Sequence, residues 1–384
     1  MREIPLGDLL ETVIDHRGKT PKKLGGDFTA SGVPVVSAIH IKNGVIEWSE
    51  RERYVSPQMF AKWMPVRLKK GDVLLTSEAP LGETALVPSN DDLVLSQRLF
   101  ALRGKPDLLD NGYLRYFLAS SVGQERLNER STGTTVVGIR QAELLKVLVP
   151  VPSLDEQRRI AGVLGALDDL IDVNRALAGD CERLARLLAS TASATTTLSS
   201  FTTWGGLSTV KPAGTVDHYS LPAFDDEQTP ERLDGSLIKS NKQQISQPCV
   251  LVARLNPHIP RVWMVYPNTA VSSLASTEFV PICAAGVPNE VVYAVCSAPT
   301  YLEQMNGLVT GTTGSHQRVD KDALTSVEVP DVRTLPAANL EAIALLVKQA
   351  HALRVEIREL SSTRDELLPL LMSGRMRVTE EVAA

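Results

Sequence analysis

Pro152-Ser153-Leu154-Asp155-Glu156-Gln157-Arg158-Arg159-Ile160-Ala161-Gly162-Val163-Leu164 opens the stretch whose reading decides the fold. Ser153 with Glu156 three residues on forms a capping-box pattern directly after a proline, which marks a helix start. No proline follows until after Lys211. Apolar positions step by four and three through Ile160, Leu164, Leu167, Ile171, Ala178, Cys181, Ala185 and Leu188, with Asn174 the polar member. A period of about 3.5 residues held over about four heptads is a coiled-coil seam. The same stepping returns through Leu346, Ala350, Leu353, Ile357, Leu360, Leu367 and Leu371, with Arg364 as the polar member, in a stretch free of proline and glycine between Pro336 and Pro369. Two such seams in one chain predict that the helices pair, with Asn174 fixing register at some cost in stability. At roughly 37 residues and about 1.5 Å per residue the first helix spans about 55 Å.

Outward from the helices, the chain repeats itself. Gly133-Thr134-Thr135 with Arg140 returns as Gly311-Thr312-Thr313 with Arg318, 178 residues later. Val147-Leu148-Val149-Pro150 returns as Val327-Glu328-Val329-Pro330 at an offset of 180. Val73-Leu74-Leu75-Thr76-Ser77 with Pro80 matches Val250-Leu251-Val252-Ala253-Arg254 with Pro257 at 177, and Phe100 matches Phe279 at 179. Four matches in order define a duplicated unit. Each unit begins with short apolar runs punctuated by Gly, Pro, Asn and Asp, which read as short strands with turns and a few helices, and each ends in a long helix.

Composition narrows the class. The 384 residues are 43% hydrophobic and 22% charged, enough for two or three domains with proper cores. Aromatics are only 5%, against a stacking platform for single strands. The net charge of −5 requires any polyanion to be held by local basic patches. Cys181, Cys249, Cys283 and Cys296 form no C-x-x-C pair and read as reduced thiols. No run approaches a membrane span, and the Met1-Arg2-Glu3-Ile4-Pro5 start has no signal-peptide character, so the expected location is the cytoplasm.

Catalytic motifs are missing from the sequence. It contains no phosphate-binding G-x-x-x-x-G-K-[ST] or G-x-G-x-x-G, no H-E-x-x-H and no G-x-S-x-G. The six histidines are scattered, and no Asp or Glu is followed two residues later by Lys. Asn256-Pro257-His258-Ile259 reads as a turn, since it lacks the second proline and the aromatic of an adenine-methylase loop. The expected chain binds and positions; no catalytic residue and no metal site is assigned to it.

Polar clusters at matching places in the two units are the binding candidates. Arg17, Lys19, Thr20, Lys22 and Lys23 lie on a basic turn, and Lys239, Ser240, Asn241 and Lys242 are its nearest equivalent. Such side chains suit phosphate contacts and base edges together. Arg254, Asn256, His258 and Arg261 fall on a proline-stiffened loop directly after an apolar strand, where Arg can read guanine and Asn adenine. The counterpart loop carries Ser77 and Glu78, and a glutamate can accept from cytosine N4. The Gly-Thr-Thr turns add Thr134, Thr135 and Arg140, then Thr312, Thr313, Ser315, His316, Gln317 and Arg318, as phosphate or base contacts. A solvated turn is the competing reading of each cluster.

These residues resemble a known family, the DNA-specificity subunits of type I restriction-modification systems. The resemblance rests on the alternation of irregular unit and long helix over essentially the whole chain. Its most specific match is Pro152-x-Leu154-x-Glu156-Gln157-x-x-Ile160, supported by the Gly-Thr-Thr segments and Val-Pro strands before both helices. Leu335-Pro336 through Leu340-Glu341 departs from that pattern, so the second helix rests on periodicity alone.

The resemblance implies an α+β chain. Two mixed α/β target-recognition domains would be separated by two long antiparallel coiled-coil spacer helices, in an internal pseudo-twofold repeat. The first domain would occupy 1–152, the first spacer helix 153–199, the second domain 200–332 with a linker at 200–216, and the second helix with a C-terminal tail 333–384. The helix-pair seam would comprise Ile160, Leu164, Leu167, Ile171 and Asn174 with Leu346, Leu353, Ile357, Leu360 and Leu367. Each domain would read one half of a split, asymmetric double-stranded DNA site. Two methyltransferase subunits carrying S-adenosylmethionine, and restriction subunits using ATP and Mg, would supply all the chemistry. The alternative is a duplicated coiled-coil scaffold without DNA readout.

Overall fold

In the computed structural model of the chain, residues 2–48, 52–133, 136–204, 208–309 and 317–378 are described. The chain divides into two compact units, Met1–Leu170 with Leu360–Ala384, and Ile171–Glu359. The fold is α+β, as the sequence predicts.

The first unit is built on an antiparallel sheet of β1 (Leu10–Asp15), β2 (Val73–Ser77), β3 (Leu81–Leu86) and β4 (Leu99–Gly104), in the order β1-β4-β2-β3. Both faces are covered, which is why its strands read as unbroken apolar runs. Val73, Leu75, Phe100 and Leu102 pack on one face against Tyr113, Phe117 and Leu118 from α1 (Asn111–Ala119). Leu74 and Ala101 on the other face meet Val36, Phe60 and Trp63. Helix α2 (Ser121–Glu129) follows directly, and the long helix α3 (Leu154–Ala189) starts beyond the strand Leu148–Val151, which pairs with Arg2–Pro5.

The second unit repeats this plan. Its sheet of β5 (Thr202–Trp204), β6 (Cys249–Ala253), β7 (Val262–Val265) and β8 (Phe279–Ala284) has the order β5-β8-β6-β7, position for position that of the first. Two helices follow again, α4 (Asn289–Cys296) and α5 (Pro299–Gly307), then a strand Glu328–Pro330 and the long helix α6 (Ala337–Met372). One side-chain device recurs. The Gly104 N–H donates to Asn111 Oδ1 and Asn111 Nδ2 donates to the Gly71 carbonyl, both at 2.8 Å. In the second unit Ala284 N–H donates to Asn289 Oδ1 at 2.8 Å and Asn289 Nδ2 to the Pro248 carbonyl at 3.1 Å. Each asparagine ties the end of one strand to the loop before another and starts the helix that covers the sheet.

The start of α3 follows the capping signal in half. Glu156 N–H donates to Ser153 Oγ at 3.3 Å, while the Glu156 carboxylate turns to Arg159. Gln157, fully buried, supplies the stronger anchor: it accepts from Asp110 N–H at 2.9 Å and donates to the Leu108 and Pro152 carbonyls.

The helix ends differ from expectation. α3 stops at Ala189, where the Ser190 and Thr191 hydroxyls donate to the carbonyls three residues back, and beyond it only a single 3-10 turn, Leu198–Ser200, is helical in the stretch up to residue 199. The threonine run Thr195–Thr197 then joins Glu328–Pro330 as a strand, its β-branched side chains favouring the pleated chain. The expected linker at 200–216 instead carries β5 and the strands Thr209–Val210 and Thr215–Tyr219. In the stretch expected as helix and tail, 333–384, the helix runs only from Ala337 to Met372. It closes on Gly374, whose φ of 71° suits the left-handed end of a helix.

Within the first unit, Ile160 and Leu164 of α3 meet Leu367, Leu368, Leu371 and Met372 of α6. Leu167, Leu360 and Leu367 are half-buried. Arg364, the polar member of the second seam, donates to Asp168 Oδ1 at 2.9 Å. Asp168 Oδ2 accepts from Arg115 and from the Tyr116 hydroxyl, both at 2.7 Å, so one carboxylate joins α1, α3 and α6. In the second unit Ala178 and Cys181 pack on Ala350 and Leu353 with the half-buried Leu346, and Ala185 and Ala189 share a core with Ile343 and Val347. Glu182 there accepts from the Tyr293 hydroxyl and from Arg354, both at 2.6 Å, the same arrangement on the opposite end of α3. Both helix halves pair antiparallel. Ile171 and Ile357 are buried, and so is Asn174, whose Nδ2 finds no partner among the described residues.

Burial alone would raise the Asp168 pKa, but the hydrogen bond and charge of Arg115, then Tyr116 and Arg364, outweigh it and hold the carboxyl below its ordinary value. A depressed folded value contributes stability above the unfolded pKa of about 3.9, and that contribution is lost as the pH falls through the folded value. Asp168→Asn is therefore expected to cost about 3 kcal/mol at pH 7 by stranding Arg115. The deficit should shrink below about pH 4, as denaturant unfolding at pH 7 and pH 3 would measure. An equal loss at both values would rule out the ionised carboxylate as the source.

Candidate nucleic-acid interface

In the first unit three chain segments meet where β2 ends. Ser77 N–H donates to the Arg98 carbonyl at 2.8 Å, and Ile139 N–H donates to the Ser77 carbonyl at 2.9 Å. Glu78 is bridged to Gly138, and Ala79 turns the chain with φ 54°. Arg17, Ser77, Glu78, Gln97, Arg98 and Arg140 line a cavity of about 280 Å³ at this junction. The Ser77 hydroxyl is buried there without a partner among the described residues. Arg17 is braced by Asp15, with Nε 2.9 Å from Oδ1, by the Ile139 carbonyl at 3.1 Å and by the Phe100 ring. Burial would raise the Asp15 pKa, but its hydrogen bonds with Arg17 lower it overall.

Arg98 pairs with Glu78 at 2.9 Å while its side chain stays 57% exposed. Its φ of 67° is one a bulky residue rarely adopts, at a cost of about 1–2 kcal/mol. An ion pair this exposed returns about 0–1 kcal/mol. The arrangement is not explained by stability, and strained backbone of this kind gathers at functional sites.

The second unit builds the same junction from different side chains. Arg254 N–H donates to the Glu278 carbonyl and Val319 N–H to the Arg254 carbonyl, both at 3.0 Å. Leu255 is bridged to Arg318, and Asn256 takes φ 50° in the place of Ala79. Arg318 grips Glu278 with Nε at 3.2 Å and Nη2 at 2.8 Å, and this bond holds the Glu278 carboxyl below its ordinary value. Arg254 Nε lies 3.6 Å from the same carboxylate and makes no hydrogen bond; Asn256 Oδ1 beside it is likewise buried and unpartnered among the described residues.

These bonds revise the internal alignment. Ser77 matches Arg254, Glu78 matches Leu255 and Arg98 matches Glu278, while the bridges match Gly138 to Arg318. Arg140 and Arg318 are therefore not equivalent. Arg140 precedes the helix Gln141–Leu144 as Asp320 precedes Lys321–Ser326. Leu99, not Phe100, corresponds to Phe279, because they pair with Thr76 and Ala253 at the matching strand ends.

Among the basic candidates, Lys22 is exposed and Thr20 half-buried, Lys19 Nζ donates to the Trp63 carbonyl at 3.4 Å, and Lys23 Nζ to the Gly18 carbonyl at 2.9 Å. Lys239, Ser240 and Asn241 are exposed, and His258 stands exposed at its loop tip. Two expected contacts are instead part of the fold. Lys242 is only 8% exposed in the strand Lys242–Ile245, with Nζ on Ser240 Oγ at 2.5 Å, and burial lowers its pKa. Arg261, also 8% exposed, holds Asp225 with two bonds of 2.7 Å. The Gln317 carbonyl accepts from Asn256 N–H at 2.8 Å at the junction. Thr134, Thr135, Thr312, Thr313, Ser315 and His316 lie outside the described residues.

Gln97, Arg98, Thr132 and Glu278 were not among the candidates. The available signal was the pair Arg98-Leu99 and Glu278-Phe279, each directly before an equivalent strand. Among the described residues no group of His, Cys, Asp and Glu could hold a metal ion, and no helix is long and apolar enough to cross a membrane.

Two covered antiparallel sheets, each with a polar junction at the end of a central strand and each followed by a long helix, make a duplicated α+β fold. Residues 1–179 match the family model of the type I restriction modification DNA specificity domain. The chain is 28% identical over 154 residues to the type I restriction enzyme MjaVIII specificity subunit of Methanocaldococcus jannaschii, covering 39% of this chain and 36% of that one. The MjaIX specificity subunit of the same organism is 29% identical over 156 residues, 40% of this chain and 35% of the other. The matched region spans about a third of the length of these curated relatives. In fold the chain is similar to the crystal structure of the type I restriction-modification system S subunit from M. genitalium, with a TM-score of 0.59 at 14% identity over 96% of this chain and 95% of that one.

Arg261→Ala removes a buried two-pronged bond, so it is expected to lower stability by about 1–3 kcal/mol. Lys239→Ala on the exposed turn should stay within about 0.5 kcal/mol of wild type. Thermal denaturation of both variants checks this. Equal melting temperatures would mean that Arg261 is not structural.

Proposed function

We propose that the chain is the sequence-specific DNA-binding subunit of a type I restriction-modification complex, reading a bipartite, asymmetric site. The observation that carries this is the duplicated junction, Ser77 with Arg98 and Ile139 in one unit and Arg254 with Glu278 and Val319 in the other, built on one backbone plan with different side chains. Equivalent frames with unlike polar groups suit two half-sites of unlike sequence. Arg254 and Asn256 have the chemistry to read guanine and adenine, and Arg17, Lys22, Arg140 and Lys239 to meet phosphates.

The chain contributes recognition, and its partners contribute reaction. Methyltransferase subunits would bring S-adenosylmethionine and methylate the DNA; restriction subunits would bring ATP and Mg. Val173, Leu177, Leu184 and Leu187 stand exposed on α3 at near-heptad spacing, which supports docking of partner helices there. Partner docking also fits the net charge of −5, since the phosphate attraction that dominates affinity would come from the assembly. The two long helices would act as a ruler setting the distance between half-sites.

The direct test is methylation mapping in cells carrying the chain with its methyltransferase subunit. A split, asymmetric methyladenine motif that disappears without this chain is expected; an unchanged methylome with both subunits assembled would refute the role. In the same assay Arg254→Ala with Asn256→Ala should relax the second half-site by about 1–3 kcal/mol per contact and leave the first intact. Deleting one heptad from α3 should change the spacer length and neither half-site. A fixed spacer would disprove the ruler.

A further inference from the structure

The two junctions carry opposite charge at one backbone position. The carbonyls of Arg98 and Glu278 each accept from the N–H at the end of the central strand, that of Ser77, the last residue of β2, and that of Arg254, the first past β6, so 98 and 278 are equivalent in the main chain. The groups they hold are inverted as well. Arg98 steadies a carboxylate, Glu78, at 2.9 Å; Glu278 steadies a guanidinium, Arg318, at 2.8 Å, with a second, Arg254, 3.6 Å away.

We infer that Arg98 and Glu278 are positioning residues that set opposite hydrogen-bond polarity in the two half-sites. Arg98 presents Glu78 as an acceptor for an exocyclic amino group of cytosine or adenine, and Glu278 presents Arg254 as a donor to the O6 and N7 of guanine. The inference rests on the DNA-reading role proposed above and deepens it.

Three observations carry the assignment. Glu78 is 39% exposed and Arg98 more so, on the rim of the first cavity, which leaves the carboxylate reachable by a base edge. Arg98 holds this place in a left-handed backbone conformation that its exposed ion pair does not offset. In the second unit one carboxylate faces two guanidiniums and Arg318 takes both of the short bonds, so Arg254 keeps a buried Nε–H with no acceptor among the described residues. Guanine presents two acceptors to one guanidinium in the major groove. The Glu278 carboxylate also keeps Arg254 and Arg318 from acting as unspecific phosphate clamps, because part of their positive charge is already matched.

The test selects duplexes with two randomised half-sites on the full chain assembled with its methyltransferase subunit, followed by sequencing. Glu278→Gln should lower the preference at one guanine of the second half-site at least tenfold and leave the first half-site and the melting temperature unchanged. The reversed pair Glu78→Arg with Arg98→Glu keeps an ion pair and therefore the fold; it should replace the preferred base at one position of the first half-site alone. Variants that enrich the wild-type sequences, or that blur both half-sites together, overturn the inference while leaving the DNA-reading role standing. A wild-type complex that enriches no bipartite sequence overturns both.

Discussion

One carboxylate in each unit ties the sheet-covering helix to the long helices. Asp168 receives Arg115 and Tyr116 from the sheet-covering helix and Arg364 from the second long helix; Glu182 receives Tyr293 and Arg354 in the same way. A buried carboxylate left without its partners would carry a large desolvation penalty, so each element that moves away leaves a charge uncompensated. The contacts are directional where leucine packing is not. They let a repeating apolar seam, which tolerates sliding by a heptad, hold its two helices at one register. Asn174, buried on the same seam with no partner for Nδ2 among the described residues, adds a polar cost there.

From this frame the junctions follow. The sheet is anchored to its helix by a repeated asparagine, Asn111 or Asn289, and the helix to α3 and α6 by its carboxylate. The end of the central strand is then held from two sides by main-chain hydrogen bonds. Backbone bonds do not depend on side-chain identity. Ser77 can be exchanged for Arg254, Arg98 for Glu278 and Gly138 for Arg318 with the frame retained, and this is how one architecture accommodates two junctions of unlike side-chain chemistry.

The candidate site was legible in the sequence only where local order reveals it. Ser77 ends an apolar strand, Glu78, Arg254 and Asn256 come directly after one, and connections beyond a central strand run over the surface. Lys242 and Arg261 looked equally suited by charge, but Lys242 alternates into a sheet and Arg261 folds back on Asp225. A count of basic residues does not distinguish a guanidinium that faces water from one already matched by a carboxylate thirty-six residues away. Arg98 and Glu278 escaped notice because each sits twenty or more residues from the residue it steadies in chain order. The trailing arginines of the Gly-Thr-Thr segments misled in the opposite sense: a chance offset of 178 joined Arg140 to Arg318, whereas strand pairing uses 180.

The sequence by itself determined the two long helices, the start of the first, and the duplication that places a sheet before each. Apolar periodicity, capping and repeated strand motifs act between near neighbours along the chain, so they can be read without a fold. Where the first helix stops was decided by the pairing of Thr195–Thr197 with Glu328–Pro330, more than a hundred residues on. The composition of each junction, its inverted charges and its Arg254, Asn256 and Ser77 atoms that find no partner among the described residues were decided only in the tertiary structure. Strand pairing brings three distant segments within hydrogen-bonding distance, and side-chain chemistry is set by what arrives there.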